Sequence, residues 1–91
     1  MKYRDFCLED EIAKYPGKPI VSRQCYLVLF WLEYFGSITQ READYELGVM
    51  RLSARIHEIR KKMHIEFEDE MVRGTNRFGW PTHYKRYKKV E

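Results

Sequence analysis

Hydrophobic positions in the middle of the chain predict two short helices joined by a tight turn. The first begins at Thr39, because Thr39 and Glu42 have the spacing of a capping box, in which two side chains satisfy free amides at a helix start. It ends near Leu47, since Gly48 suits the left-handed conformation that terminates helices. The second helix is predicted over residues 50–62, with one apolar stripe at intervals of four, three and four residues. The stripe is Leu52, Ile56, Ile59 and Met63.

A longer helix is predicted before this pair, from the N-cap Ser22 to Phe35, and Gly36 ends it. It is apolar nearly all the way round. One stripe is enough to pack against the helical pair: Cys25, Val28, Leu29 and Leu32. A second apolar face remains, formed by Tyr26, Leu27, Phe30 and Tyr34. Because a helix with two apolar faces is normally buried on both, this face is expected to contact either the N-terminal arm or a second subunit of a homodimer.

The chain is expected to divide into an N-terminal arm, residues 1–21, and a domain, residues 22–91. Within the arm, Tyr3–Tyr15 is compatible with a short helix. Its apolar side would be Phe6, Cys7, Ile12 and Tyr15. The PGKP stretch at residues 16–19 ends this helix, because proline cannot continue a helix and glycine favours a turn.

After the helical region the hydrophobic period becomes that of a strand. One parity of HIEFEDEMV is apolar and the other acidic, which predicts a strand with one solvated face. The apolar positions are Ile65, Phe67 and Met71, and the acidic ones are Glu66, Glu68 and Glu70. Residues 74–79 (GTNRFG) tolerate positive φ and predict a hairpin loop. A second strand follows in WPTHYKRYKKV, with its tyrosines in the core and Pro81 at a sheet edge or a bend. A short edge strand is expected at Ser37–Ile38.

Positive charge is concentrated in two segments, although the formal net charge is only +3. Residues 49–64 contain five Lys or Arg and one acid, and residues 73–91 contain six and one. Between them, residues 65–72 contain four acids and no Lys or Arg. Such a polarised distribution is typical of proteins that bind nucleic acid through one face. The acidic segment is expected to be a solvated patch that keeps DNA away from its side of the molecule.

Length and composition exclude several classes of protein. The 91 residues allow one domain with a modest core, and no apolar run approaches the roughly 18 residues of a membrane span. The first ten residues contain acids, whereas a signal peptide needs an apolar stretch there, so a cytoplasmic location is expected. Cys7 and Cys25 lack CxxC spacing and should stay reduced. Histidines and cysteines are too scattered for a zinc site, so we expect no metal, no cofactor and no enzymatic activity.

Two helices across a glycine turn, the second of them basic, are how DNA-reading helix-turn-helix units are built. The chain also resembles a family of small phage and prophage helix-turn-helix domains, which are thought to be winged helices. The matching residues are RLSARI at 51–56, NRFG at 76–79, Gly36–Ile38, Ala43, Leu47–Val49 and Arg60. The resemblance covers Val28–Lys88. It implies an α+β winged helix-turn-helix fold, with a three-helix core, a C-terminal β-hairpin wing and an N-terminal extension, that binds double-stranded DNA.

The second helix of the pair presents a defined set of side chains opposite its buried stripe. These are Met50, Ala54, His57 and Lys61, with Arg51 and Ser53 beside them. In a winged helix this face enters the major groove. Arg51 is expected to pair with guanine O6 and N7, and the alanine to touch a thymine methyl. Ser53 and His57 are expected to bond bases or phosphate, and Lys61 and Lys62 to contact phosphate.

Two charged residues of the same helix are expected to lie outside that set. Arg55 sits at the edge of the buried stripe, and an ion pair with an acid such as Glu42 or Asp44 is expected there rather than a base contact. Glu58 would repel phosphate, so it either faces cytosine N4 or lies away from the interface.

The wing supplies the remaining candidate contacts. Arg77 at its tip is expected to reach a minor groove or a phosphate, with Arg73 and Asn76 beside it. Asn76 and Gly79 also shape the turn. The basic C-terminal segment is expected to add non-specific affinity for the DNA backbone that weakens with salt.

The resemblance implies a phage or prophage setting, in the cytoplasm or nucleoid of a bacterial host cell, and transcriptional control as the role. Two alternatives remain open. An excisionase-like architectural DNA binder would use the same surface. A protein–protein interaction module, such as a phage-encoded inhibitor of host machinery, would depend instead on the apolar surface around Phe30 and Tyr34.

Overall fold

Helices and strands follow the predicted order along the chain. The computed structural model describes residues 6–15, 17 and 20–90. Its elements are α1 (Leu8–Ala13), α2 (Arg23–Phe35), β1 (Ile38–Thr39), α3 (Gln40–Leu47), α4 (Leu52–Met63), β2 (Phe67–Thr75) and β3 (Pro81–Lys89). The α+β winged helix-turn-helix fold with an N-terminal extension is confirmed: α2, α3 and α4 form the helical core, and β2 and β3 form the wing. No helix in the described ranges is both long and apolar enough to span a membrane.

The three strands form one antiparallel sheet in which β3 lies between β1 and β2. β1 begins one residue later than predicted, and its Ile38 pairs with Tyr87 near the end of β3. Because β1 has only two residues, it covers the C-terminal end of β3 and leaves the rest of that strand bordered by β2 alone. The sheet is therefore three strands wide beside the helices and two strands wide beyond them.

β2 and β3 pair along their whole length, from Phe67 opposite Lys89 to Thr75 opposite Pro81. The loop is shorter than the predicted residues 74–79, because Gly74 and Thr75 still belong to β2. Pro81 is the first residue of the middle strand rather than an edge residue, a position where its missing amide does least harm to the ladder.

α2 lies at the centre of the core, as its apolar sequence predicts, and contacts α3, α4 and β1. The helices, β1 and the turn between α3 and α4 contribute the buried residues Cys25, Val28, Leu29, Leu32, Ile38, Ala43, Val49, Leu52, Ile56 and Ile59. The hairpin contributes Phe67 and Tyr87, both from its base. A nine-residue strand spans roughly 30 Å, so the far end of the hairpin lies well outside the core.

The N-terminal arm packs against α2 in the described residues. α1 spans Leu8–Ala13, within the predicted helix, whereas residues 3–5 of that prediction and most of the predicted break at residues 16–19 lie outside the described residues. The Phe6 ring meets Phe30 edge-on with centroids 5.3 Å apart, and the Tyr15 and Tyr26 centroids are 6.2 Å apart.

These contacts determine how much of the second apolar face of α2 remains accessible. Tyr26 and Phe30 are buried and Leu27 is half-buried, whereas Tyr34 is 49% exposed. The division of the chain at residue 21 and a homodimer through this face stay predictions.

Candidate nucleic-acid interface

The turn between α3 and α4 sets where the second helix of the pair begins. Gly48 has φ 69°, and the Val49 amide donates to the Ala43 carbonyl at 2.8 Å, which closes the end of α3. The predicted capping box at the start of α3 is present, with the Thr39 hydroxyl and the Glu42 carboxylate each accepting from the other's backbone amide. Both ends of α3 are thus held by local hydrogen bonds that sequence motifs predict.

Gln40 is a positioning residue that the sequence analysis missed. Its side-chain amide donates to the Val49 carbonyl at 3.1 Å, and its carbonyl accepts from the Leu52 amide at 2.9 Å. Gln40 therefore bridges the turn and satisfies the first amide of α4, in place of a side-chain cap from Arg51. No local motif marks this role, because the contact joins residues 12 positions apart.

α4 begins at Leu52, two residues later than predicted. Arg51 is its N-cap, with φ −123° and ψ 68°, and Met50 lies in the turn before it. Both side chains are exposed, Met50 by 74%. Both side chains therefore lie just before the first turn of α4, next to the exposed face of the helix.

The outward face of α4 holds most of the predicted contact residues. Ser53, His57, Lys61 and Lys62 are exposed, and the alanine between them at position 54 is half-buried. Arg60 is exposed on the same helix and extends the basic surface toward its C-terminus. The predicted buried stripe is confirmed, since Leu52, Ile56 and Ile59 are buried and Met63 packs against the core.

Arg55 and Glu58 turn inward toward the start of α2, and the predicted ion pair of Arg55 is present, although its partner is neither of the two acids that were named as examples. Instead of Glu42 or Asp44, Arg55 contacts Glu58, with Nε and Oε1 3.6 Å apart, and donates from Nη1 to the Ser22 hydroxyl at 3.0 Å. The Arg55–Glu58 spacing of three residues on one helix was the signal available in the sequence. Ser22 occupies the predicted N-cap position, but its hydroxyl bonds α4 instead of capping α2.

Glu58 takes over the cap of α2, because its Oε2 accepts from the Ser22 amide at 2.8 Å. Partial burial alone would raise the pKa of Glu58. The hydrogen bonds from Ser22 and Cys25, together with the positive charge of Arg55, outweigh this effect and hold the pKa below its usual value. Burial raises the pKa of the neighbouring Cys25 thiol to about 11. The cluster therefore fastens α4 to α2 and lies outside the contact face.

The acids at the base of the hairpin are exposed, as predicted, and two of them also face cations on the neighbouring strand. Asp69 lies 3.6 Å from Lys85, and Glu70 lies 3.7 Å from Arg86 and 3.8 Å from Lys88. The strand register explains this, since Glu70 is directly opposite Arg86. Three of the cations expected to hold the DNA backbone thus face carboxylates.

The cations of the wing have different surroundings. Among the described residues, neither Arg73 nor Arg77 has a carboxylate within 4 Å, and both are exposed. The side-chain carbonyl of Asn76 accepts from the Phe78 and Trp80 amides at 2.9 and 3.0 Å, so its predicted role in shaping the turn has a geometric basis. The backbone amide of Asn76 also donates to the backbone carbonyl of Trp80, at 2.9 Å.

The tip of the wing carries aromatic side chains that the sequence analysis assigned to the strand or left without a role. Phe78 is 73% exposed and Trp80 67% exposed. Tyr84 is 40% exposed rather than buried, and its ring lies over Gly74, where an added Cβ would come within 3.2 Å of it. Tyr87, in contrast, belongs to the core as predicted.

A groove of about 580 Å³ separates the start of α3 from the wing. Its walls include Arg41 and Glu42 on one side and Asn76, His83 and Arg86 on the other. The start of α3 and the wing therefore border a common concave surface. The part of the chain that the structure describes contains no group of three or more His, Cys, Asp or Glu side chains that could hold a metal ion.

The family model described as a winged helix-turn-helix domain matches residues 23–87. This match spans α2 through to Tyr87 of β3 and leaves out the N-terminal arm. Neither the curated proteins nor the solved structures include a match to the chain.

Proposed function

The chain belongs to the winged helix-turn-helix domain family, and on that premise we propose that it is a sequence-specific, duplex-DNA-binding transcriptional regulator of phage or prophage type. Family membership indicates DNA binding. The observation that carries the proposed DNA-contact surface is the distribution of unpaired charge. Arg51 and Lys61 around α4 and Arg77 on the wing are exposed cations without a carboxylate partner among the described residues. Arg55, Arg86 and Lys88 have such partners.

The entrance and outward face of α4 read the major groove in this proposal. Arg51 donates to guanine O6 and N7 from just before the helix, where side chains approach base edges. Ser53 and His57 bond bases or phosphate. Ala54 and Met50 supply apolar contact, and the lysines at positions 61 and 62 hold phosphate.

The wing contacts the backbone or the minor groove beside that site. Arg73 and Arg77 donate to phosphate oxygens, which fix register without reading sequence. Asn76 has committed its carbonyl oxygen to the loop, so its contribution to DNA is limited to the donors of its side-chain amide. A protein with these parts works in the cytoplasm or nucleoid of a bacterial host and has no catalytic role.

Fluorescence anisotropy tests this function directly. Duplexes of 30 base pairs that tile the DNA around the gene, and scrambled duplexes of the same composition, are titrated with protein at several salt concentrations. We expect at least one tile to bind about a hundredfold or more tighter than its scramble. Equal, weak binding to both that vanishes by about 0.2 M salt would replace the regulator with a non-specific binder. Absence of binding at low salt would reject DNA binding and favour the protein-interaction module.

A further inference from the structure

The tip of the wing carries an exposed aromatic pair beside its exposed cations. The rings of Phe78 and Trp80 have centroids 6.0 Å apart and planes inclined at 44°. About two thirds or more of each side chain is accessible, and both lie at the end of the hairpin that is remote from the core residues Phe67 and Tyr87. Large aromatic side chains contribute most to binding when they become buried, so a pair held out in water in this way marks a contact surface.

Hydrogen bonds of the loop hold the backbone that carries these rings. Phe78 and Trp80 both donate their amides to the Asn76 side chain, and Gly79 donates to the Asn76 carbonyl at 3.0 Å. Gly79 has φ 82°, which lets the chain turn back into β3. A contact surface ordered before binding loses less conformational entropy when it binds.

The charge around the rings indicates their partner. The chain has no acid between residues 71 and 90, whereas Arg73, Arg77 and Lys85 lie in that stretch. Arg77 directly precedes Phe78 and Arg73 lies near the end of β2, and neither has a carboxylate within 4 Å among the described residues. An apolar protein groove would not require this cationic setting. Stacked DNA bases would favour it, because they offer flat apolar faces between two negatively charged phosphate backbones.

We propose that the Phe78–Trp80 ring pair inserts between two base pairs from the minor groove and bends the duplex. The inference rests on the proposed DNA-binding function and adds DNA bending to it. Apolar side chains that enter from the minor groove unstack a base step and kink the helix toward the major groove. The bend brings the flanking DNA toward α4, so the wing and the helix engage one site together.

Insertion also selects DNA sequence without a base-specific hydrogen bond. TA and CA/TG steps unstack more easily than other steps, so they deform at lower cost. We expect the preferred site to carry such a step where the wing tip lies, at a fixed distance from the bases that Arg51 reads.

The test combines a bending measurement with local unstacking. The full chain is titrated onto its tightest-binding duplex from the tiling experiment, labelled at both ends for energy transfer. A second copy of that duplex carries 2-aminopurine at successive steps. We expect end-to-end transfer to rise on binding, and 2-aminopurine emission to rise several-fold at one step only. In Phe78→Ala and Trp80→Ala the bend should fall by half or more, with affinity about tenfold weaker.

Two further variants separate insertion from simple contact. Phe78→Leu keeps an apolar wedge and should preserve most of the bend. Tyr45→Ala removes an aromatic ring that is 85% exposed on α3, and should change neither the bend nor the unstacked step. Tight binding by the parent without bending or unstacking would overturn insertion while leaving the DNA-binding function intact. A bend that survives in both alanine variants would overturn it too. A folded parent that binds no duplex would instead remove the proposed function, and this inference with it.

Discussion

At the base of the β2–β3 hairpin, the aromatic residues Phe67 and Tyr87 are buried and the charged residues Glu70 and Arg86 face each other across the strands. At its tip, the rings of Phe78 and Trp80 and the cation of Arg77 stand in solvent. The same residue types thus occur at both ends of the hairpin, buried or ion-paired at the base, and exposed at the tip without a carboxylate partner among the described residues. A basic or aromatic residue indicates a binding site only when the fold leaves it without an internal partner.

The same division separates two faces of α4. Arg55 and Glu58 are held at the start of α2 by Ser22 and by each other. Arg51 and Lys61 lie on the opposite, exposed side without such partners among the described residues. Counting charge along the sequence treats Arg51 and Arg55 alike, although Arg55 is half-buried with internal partners and Arg51 is exposed without a carboxylate partner among the described residues.

The largest predicted contrast is between the aromatic residues of the two hairpin ends. Tyr87→Ala removes a core ring and should lower the free energy of unfolding by about 3–5 kcal/mol. Trp80→Ala removes an exposed ring and should change it by less than about 0.5 kcal/mol. Urea unfolding followed by circular dichroism measures both. A comparable loss of stability in the two variants would mean that the tip is structural rather than a binding surface.

Periodicity predicted the fold well because burial acts on every residue of an element. The buried stripe Leu52–Ile59 of α4, the apolar α2 and the capping box at Thr39 each come from residues that are close in the sequence, and the folded structure retains all three. Element ends were less well predicted. α4 starts at Leu52 because Gln40, from the preceding helix, takes its first amide, and no local pattern in the sequence announces that contact.

The second contrast concerns pH and the inward face of α4. Because the pKa of Glu58 is lower in the folded chain than its usual value, its ionised form contributes stability above that usual value of about 4.3. The contribution disappears as pH falls through the lowered folded pKa. Glu58→Gln should therefore cost about 1–2 kcal/mol at pH 7, and the difference from the parent should shrink in acid.

Urea unfolding of the parent and Glu58→Gln between pH 7 and pH 3 measures this dependence. Glu66→Gln is the matched control, since Glu66 is exposed and has no side-chain partner among the described residues. A gap between parent and Glu58→Gln that stays constant with pH would show that packing, not the carboxylate charge, accounts for the loss.

The smallest predicted effect tests whether pairing suppresses the cations at the hairpin base. Glu70→Ala leaves Arg86 and Lys88 without their carboxylate partner. We expect scrambled duplex to bind about two- to fivefold tighter at low salt, and the gain to disappear at high salt. Glu66→Ala removes the same charge without freeing a partner, so an equal gain in that variant would show that net charge alone is responsible.

The candidate contact residues could be predicted only in part, because the sequence gives the type of each residue but not the residues with which it packs or pairs. Ser53 and His57 are exposed as the helical wheel predicts, and Arg77 is exposed as a hairpin turn predicts, whereas Met50 and Arg51 are exposed because they lie before the helix. The partners of Arg55, Arg86 and Lys88 depend on the packing of α4 against α2 and on the register of β2 with β3. The exposure of Phe78 and Trp80 likewise depends on how far the hairpin extends beyond the core.

Duplex binding by two charge-matched double variants tests the central claim most directly. Arg51→Ala/Arg77→Ala and Arg86→Ala/Lys88→Ala each remove two positive charges, and anisotropy is measured with the tightest-binding duplex across a salt series. The account predicts that the first variant binds about thirtyfold or more weaker, with a salt slope reduced by about 1 or more, while the second stays within about threefold of the parent. Equal losses in the two variants would contradict it, because affinity would then follow net charge and not the unpaired surface.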